Sequence, residues 1–189
     1  MTAHRTFSVL FVLGLLLSGC GEVQEETPAL QPSPIPVPIS TPIPAPDVTV
    51  CASGCDFTLI QDAIDAESTG VGTVIGVVDP IHTEGGIVVG KSVLIQGKGV
   101  EETIVQAHPN PGEGTLRVFE VPLEVTATIR GMTVRHGNPT VSPLTGGGVL
   151  NLGTLTLQNT IVRENFGSAG GGLYNEGTLT IINSTISDN

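Results

Sequence analysis

The acidic residues that could take part in catalysis are few and poorly placed for it. Glu164 and Asp188 lie 24 residues apart at equivalent positions of an internal repeat, so stacked repeats would bring them together. Enzymatic hydrolysis of a glycosidic bond needs two carboxyl groups about 5–9.5 Å apart, with a positioned base or water. Both residues precede an asparagine in a predicted turn, where solvated acidic residues are common. We therefore predict no catalytic residues and no metal ligands.

Asp79, His82 and Glu84 form a second polar group. A histidine between two carboxylates could serve as a base or as part of a ligand set. The group begins with an Asp-Pro pair and is followed by a Gly-Gly pair, which is typical of a turn. We interpret it as a solvated turn.

Arginines and aromatic residues suggest a binding face. Arg135 and Arg163 occupy equivalent repeat positions and are expected to stack on the outside, where like charges cost roughly a few tenths of a kcal/mol. An anionic ligand would offset this repulsion, as would the neighbouring Glu164. Sugar-binding platforms use exposed aromatic rings, so Phe166 and Tyr174 are expected to flank a shallow glycan groove, although Tyr174 fits a corner between strands equally well. These five residues are the candidate ligand-binding residues.

An internal repeat must position these residues. The segment from Gly146 to Leu157 aligns with the segment from Gly170 to Ile181 at a constant offset of 24. An earlier copy, Ala127 to Arg135, aligns with Leu155 to Arg163 at an offset of 28, and its extra residues fall in a loop at 138–145. Self-similarity of this kind indicates a repeat architecture.

Within one repeat, threonine and leucine alternate. The run from Thr154 to Leu157 places both leucines on one face of a strand. Such short strands cannot form hairpins with themselves, so each is expected to pair in parallel with the equivalent strand of the next repeat. The Gly-Gly-Gly runs are expected at corners with positive φ or close backbone contact. Recurrent asparagines predict amide ladders; the candidate pairs are Asn151 with Asn175, Asn159 with Asn183, and Asn165 with Asn189.

One segment has the period of a helix. Phe57, Ile60 and Ile64 share one face. Thr58, followed three residues later by Gln61, fits a capping box. A stack of repeats needs a cover on its first turn, so we expect residues 57–66 to form an N-terminal capping helix.

Two motifs resemble known families. Cys51-x-x-x-Cys55, followed by Phe57-Thr-x-Ile-Gln-x-Ala-Ile-Asp-Ala66, resembles the N-terminal entry of pectin-lyase-like proteins of bacterial surfaces. The Gly-Gly-Gly-Val/Leu and Asn-x-Gly-Thr-Leu-Thr units resemble in part the repeats of polymorphic outer-membrane proteins, whose Phe-x-x-Asn motif is absent. The resemblance implies an all-β fold over residues 47–189. The expected architecture is a single-stranded right-handed parallel β-helix, a solenoid of roughly five turns, with an N-terminal capping helix.

The first 46 residues resemble the export signal and tether of a bacterial lipoprotein. Arg5 precedes an apolar run that is too short for a comfortable transmembrane helix. Leu17-Ser-Gly-Cys20 is similar to a lipobox, which implies a signal peptide over residues 1–19 and lipid on Cys20. Prolines alternate with other residues from Pro32 to Pro38, and this pattern favours an extended, solvated tether over residues 20–46.

Cys51 and Cys55 are the thiols that remain if Cys20 carries lipid. In an oxidising compartment, two thiols four residues apart predict a disulfide. Two thiolates provide only half of a zinc shell, so a metal site is the weaker interpretation.

Charge argues against one class of partner. The formal net charge is -11 and no Lys/Arg cluster offsets it, so we expect no nucleic acid partner. We expect a non-catalytic, adhesin-like lipoprotein, exported and anchored to a bacterial membrane at the cell surface or in the periplasm. It would present a binding face to glycans or proteins and need no cofactor. The alternative is a fragment of a polysaccharide lyase or hydrolase, and only that alternative would use calcium.

The sequence ends at Asn189 in the middle of a repeat. We expect the β-helix to be C-terminally incomplete; otherwise, this end docks onto a second copy or a partner. In either case the last turn would present an open edge for self-association, with Leu179, Ile181 and Ile186 partly uncovered.

Overall fold

A computed structural model of the chain describes residues 43–141 and 145–189. The predicted signal peptide, Cys20 and most of the predicted tether lie outside the described residues. In the described part, no helix is long and apolar enough to cross a membrane.

The described residues form an all-β parallel solenoid of about five turns, as predicted. In chain order the elements are β1 (Val48–Val50), α1 (Ile60–Asp65), β2 (Val74–Val77), β3 (Ile81–Thr83), β4 (Ile87–Val88), β5 (Leu94–Gln96), β6 (Ile104–Gln106), β7 (Phe119–Val121), β8 (Thr126–Arg130), β9 (Thr133–Arg135), β10 (Val149–Asn151), β11 (Thr154–Gln158), β12 (Ile161–Arg163), β13 (Leu173–Asn175), β14 (Thr178–Ile182) and β15 (Thr185–Ser187).

The strands build three parallel sheets. Sheet A has the order β1-β2-β5-β8-β11-β14, sheet B has β15-β12-β9-β6-β3, and sheet C has β13-β10-β7-β4. Each full turn of the chain contributes one strand to sheet A, then one to sheet B, then one to sheet C. Residues at the same position of successive turns therefore form columns along the solenoid.

The strand registers confirm the repeat alignment. Thr154 pairs with Thr178, which is the offset of 24, and Leu155 pairs with Ala127, which is the offset of 28. Leu155 and Leu157 are fully buried, so the alternation predicts the inner face correctly. The interior is a continuous aliphatic column in which Phe119 is the largest fully buried side chain of the described residues.

The glycine corners also follow the prediction. Gly146 and Gly170 have φ of 60° and 59°. A Cβ on Gly147 would lie 2.0 Å from the carbonyl oxygen of Phe166, so any side chain there would displace the neighbouring turn.

Two of the three predicted amide ladders form. Asn151 Nδ2 donates to Asn175 Oδ1 at 2.6 Å, and Asn165 Nδ2 donates to Asn189 Oδ1 at 2.9 Å. The third prediction is wrong, since the hydrogen bonds of the described residues include none between the Asn159 and Asn183 side chains. These asparagines instead provide left-handed backbone, with φ of 49° and 48°, a conformation that asparagine tolerates better than most residues.

The predicted capping box is wrong. Helix α1 starts at Ile60, after an extended Leu59 that makes no side-chain cap. Phe57 bridges to Val50 of β1, which keeps this part of the chain extended. The Glu84 carboxylate instead accepts hydrogen bonds from the backbone N–H groups of Ile60 and Gln61, at 2.6 and 2.9 Å. The helix packs against β1, β2 and β4.

The Cys51–Cys55 disulfide is present, as predicted, with Cα atoms 5.5 Å apart. It closes the loop after β1, and Asp79 Oδ2 accepts a hydrogen bond from the Ala52 N–H in that loop at 2.8 Å. Residues 43–46, which the sequence analysis places in the tether, contact the outer face of sheet A: Gln96 Nε2 donates to the Pro44 carbonyl at 3.3 Å.

Candidate functional site

The predicted arginine stack lies at the end of sheet B. Arg135 and Arg163 are in register on β9 and β12, which places them on neighbouring strands about 4.8 Å apart. The preceding residues, Val134 and Val162, are fully buried. Because side chains alternate along a strand, both arginines belong to the outer face.

Arg135 is held in place by a polar ladder that the sequence analysis missed. Its Nε and Nη2 donate to Gln106 Oε1 at 3.0 and 2.9 Å. Gln106 Nε2 in turn donates to Thr83 Oγ1 at 3.0 Å. Gln106 is in register with Arg135 on β6, so the ladder runs across three turns. It gives Arg135 a fixed position.

Glu164 connects the second arginine to a buried histidine. Its Oε1 accepts a hydrogen bond from Arg163 Nη1 at 2.8 Å, and its Oε2 lies 3.0 Å from His136 Nε2. His136 is 4% exposed, and its Nδ1 lies 2.9 Å from the carbonyl oxygen of His108. Both ring nitrogens of His136 therefore have an oxygen within hydrogen-bonding distance.

The electrostatics of this cluster keep Glu164 ionised. The hydrogen bond with His136 lowers the pKa of Glu164 below its ordinary value, and the charges of Arg163, His136 and Arg135 act in the same direction against partial burial. A general acid in glycoside hydrolysis needs a raised pKa instead. Glu164 is therefore suited to hold Arg163, not to donate a proton.

Glu164 and Asp188 follow β12 and β15 at equivalent positions, as the repeat predicts. The Glu164 N–H donates to the Asp188 carbonyl at 2.9 Å, and both residues have left-handed φ, 55° and 56°. His136 has the same conformation one turn earlier, with φ of 60°. Within residues 43–141 and 145–189, no group of three or more His, Cys, Asp or Glu residues is arranged to hold a metal ion.

The structure places the two candidate aromatic residues on different parts of the solenoid. Phe166 is 46% exposed and lies in the connection that follows β12, close to Gly112. Tyr174 lies on β13 of sheet C, in register with Leu150, and its hydroxyl donates to Glu176 at 3.0 Å. Phe166 therefore lies three residues from Arg163, whereas Tyr174 belongs to a neighbouring sheet.

The corner between sheets B and C carries the longest irregular connections of the described solenoid turns. Residues 107–118 make this connection in the second turn, compared with 84–86 in the first, and residues 136–141 and 145–148 are the described parts of the connection in the third turn. The two long connections are joined by hydrogen bonds. Asn138 Nδ2 donates to the Gly112 carbonyl at 2.9 Å, and the Thr140 N–H donates to the Thr115 carbonyl at 3.2 Å.

Described residues of these two connections line an open pocket over the outer face of sheet C. Its volume is about 190 Å³. Arg117 Nη1 donates to Glu120 Oε2 at 2.6 Å beside the cavity. The lining residues are Gly86, Thr115, Leu116, Arg117, Glu120, Pro139 and Val141. The pocket could not be predicted from the repeat, because its walls come from insertions that have no counterpart there.

The predicted solvated turn around His82 is wrong. His82 lies on β3 and is 5% exposed, and its Nε2 lies 2.7 Å from Glu84 Oε2. It shares an interior column with Val105 and Val134. Since Glu84 also binds two N–H groups of helix α1, this buried pair ties the helix to the first turn.

Comparison of the sequence with family models finds no family that matches, and no curated protein and no solved structure matches it significantly. The resemblance to pectin-lyase-like proteins and the assignment as a lipoprotein therefore stay predictions. The solenoid itself follows from the strand pairing.

Proposed function

We propose that the chain is a non-catalytic glycan-binding module of a bacterial surface or periplasm. Its binding face would be the corner between sheets B and C, defined by Arg135, Arg163, Phe166 and residues 107–118, 136–141 and 145–148 of the two long connections. The observation that carries the proposal is that both long connections lie at this one corner, beside the arginine pair. In repeat proteins, insertions on one face often mark the face that binds.

The chemistry of this face supports glycan binding. Among the described residues, Arg163 donates through Nη1 alone and Arg135 through Nε and Nη2. The remaining N–H groups of both guanidiniums are available to hydroxyl or carboxylate oxygens of a ligand. The exposed ring of Phe166 provides an apolar platform nearby. A scaffold that already fixes these groups loses little entropy when it binds.

The state of Glu164 supports a binding role over catalysis. Its lowered pKa and its contacts to Arg163 and His136 fit an ionised positioning carboxylate. The alternative function, a polysaccharide lyase or hydrolase, would require a proton donor or a base that contacts the sugar.

A glycan array, followed by a depolymerisation assay with calcium and with a chelator, tests the proposal on the full chain. Arg163→Ala and Phe166→Ala should each weaken glycan binding about tenfold, equivalent to about 1.4 kcal/mol. Arg130→Ala is the matched control, because Arg130 donates to Gln96 on sheet A, away from this corner. Formation of new reducing or unsaturated ends would overturn the non-catalytic proposal. Failure to bind any glycan while folded would overturn the binding proposal.

Membrane attachment through Cys20 is part of the same proposal. Lipid on Cys20 would hold the solenoid at a membrane, and the proline-rich residues 20–42 would provide the spacer. In a bacterial host, Cys20→Ser should abolish incorporation of labelled fatty acid and release the protein from the membrane fraction. Retention of label in this variant would contradict the assignment of Cys20.

A further inference from the structure

We infer that the pocket over sheet C is a subsite for a single N-acetylated amino sugar. This inference rests on the proposed glycan-binding function and names the sugar that one part of the face would select. The pocket is lined by residues 115–117 of the connection 107–118 and by Pro139 and Val141, which belong to the described part of the next connection at the proposed binding face.

The size of the pocket limits its occupant to one small group. At about 190 Å³, it is smaller than the roughly 300–1,000 Å³ of pockets that enclose a drug-sized ligand. An oligosaccharide cannot fit inside it. One sugar ring, or one substituent of such a ring, can enter while the rest of the glycan lies on the surface.

The polar side of the pocket offers an acceptor to a hydrogen-bond donor. Glu120 points outward from β7 between two buried residues, Phe119 and Val121, and its side chain is 32% exposed. Its Oε2 is bound to Arg117, whose side chain is 9% exposed. Glu120 Oε1 accepts no hydrogen bond from the described residues. A carboxylate oxygen accepts hydrogen bonds only, so the occupant must bring an N–H or O–H group to this point.

The other side of the pocket offers apolar contact. Leu116 is 47% exposed and Val141 is 70% exposed, although both line a concave surface together with Pro139. Exposed apolar residues that surround a cavity favour a ligand with a methyl or similar group. The N–H and the methyl group of an acetamido substituent supply the donor and the apolar group within a few bonds of each other.

Charge favours a neutral occupant. The formal net charge of the chain is -11, so its long-range field repels anionic groups. Arg117 already neutralises Glu120 at short range, so the pocket does not require a cation. An acetamido group carries neither a negative nor a positive charge, so it fits a pocket that disfavours anions and does not require a cation.

The test measures binding of the full chain to N-acetylglucosamine and N-acetylgalactosamine, with glucosamine and glucose as the comparison sugars, by ligand-observed NMR. The acetylated sugars should bind at least fivefold more tightly. Glu120→Gln should remove this preference, so that acetylated and non-acetylated sugars bind with equal affinity. Leu116→Ala leaves the Arg117–Glu120 ion pair in place and should reduce the preference for acetylated sugars about threefold. Val88→Ala is the control, because Val88 lies next to Glu120 in register but does not line the pocket. Circular dichroism verifies that each variant is folded.

The outcomes separate this inference from the proposed function. Equal affinity for acetylated and non-acetylated sugars, or a preference that Glu120→Gln and Leu116→Ala leave unchanged, would overturn the acetamido subsite. If polymeric glycan binding still depends on Arg163 in that case, the proposed function stands. If Glu120→Gln removes the preference while Arg163→Ala retains it, the pocket is confirmed as a separate subsite.

Discussion

Glu164 makes the proposed face dependent on pH. Its pKa is lowered in the folded state, first by the hydrogen bond with His136. A carboxyl group with a lowered folded-state pKa contributes stability above its unfolded-state pKa and loses that contribution as pH falls through the folded-state value. The wild type should therefore be more stable than Glu164→Gln near neutral pH, and this difference should shrink at pH values below the ordinary glutamate range.

Urea unfolding of both proteins from about pH 7 to about pH 3 measures this difference. Glu101→Gln is the control, because Glu101 is exposed and makes no hydrogen bond with the described residues. A difference between wild type and Glu164→Gln that stays constant over this range would contradict the role of the ionised carboxylate.

The repeat identifies Arg135, Arg163 and Glu164, because all three lie inside or next to it. The repeat does not identify Gln106 or the role of His136, since their partners are set by an offset of 29 between β6 and β9 and by a corner of irregular length. Long polar side chains bind neighbours across turns, and such contacts depend on register. Register is visible in the sequence only where the turns resemble each other.

At the scale of single elements, one amide ladder starts with an unsatisfied group. Asn151 Oδ1 is buried and has no hydrogen-bond partner among the described residues. The turn before it has Val121 at that position in the register. The other ladder starts differently, because Asn165 Oδ1 accepts a hydrogen bond from the Gly137 N–H at 2.9 Å. A buried group without a partner costs about 1–3 kcal/mol.

Val121→Asn should extend the Asn151 ladder by one turn. The new amide would donate to Asn151 Oδ1, in the same direction in which Asn151 donates to Asn175. Val149→Asn is the matched control, because Val149 is equally buried and has Phe119 and Leu173 as its register neighbours. Val121→Asn should therefore be at least about 1 kcal/mol less destabilising than Val149→Asn in urea unfolding. Equal destabilisation would contradict the ladder argument.

The elements of the last three turns could be predicted closely because the alternation of threonine with an apolar residue recurs in β8, β11 and β14. The earlier turns could not, since their offsets vary from 20 between Val74 and Leu94 to 34 between Leu94 and Thr128. The pocket belongs to this irregular part. Insertions fold according to their contacts with neighbouring turns, so their sequence alone does not show which cavity they enclose.

For the whole molecule, the solenoid implies that stability is close to a sum over turns and over the contacts between them. The aliphatic column passes through the described turns, and a residue of an inner turn lies next to its equivalents in the turns on both sides, whereas a residue of an end turn has one such neighbour. The loss in free energy of unfolding caused by a core substitution should therefore depend on how far neighbouring turns cover the substituted position. The composition of small and β-branched residues made this thin core predictable, whereas the extent of burial at each turn required the structure.

Leu155 and Leu179 allow a direct test, because they are in register at the same inner position of successive turns. Leu155 is fully buried, whereas Leu179 is only partly buried. Leu155→Ala should lower the free energy of unfolding by about 2–5 kcal/mol, as expected for a cavity in a closed core. Leu179→Ala should lower it clearly less, because part of the Leu179 side chain already contacts water. Urea unfolding of both variants measures the two costs. Equal costs would mean that the position of Leu179 is covered as completely as that of Leu155, and the additive description of the turns would then be wrong.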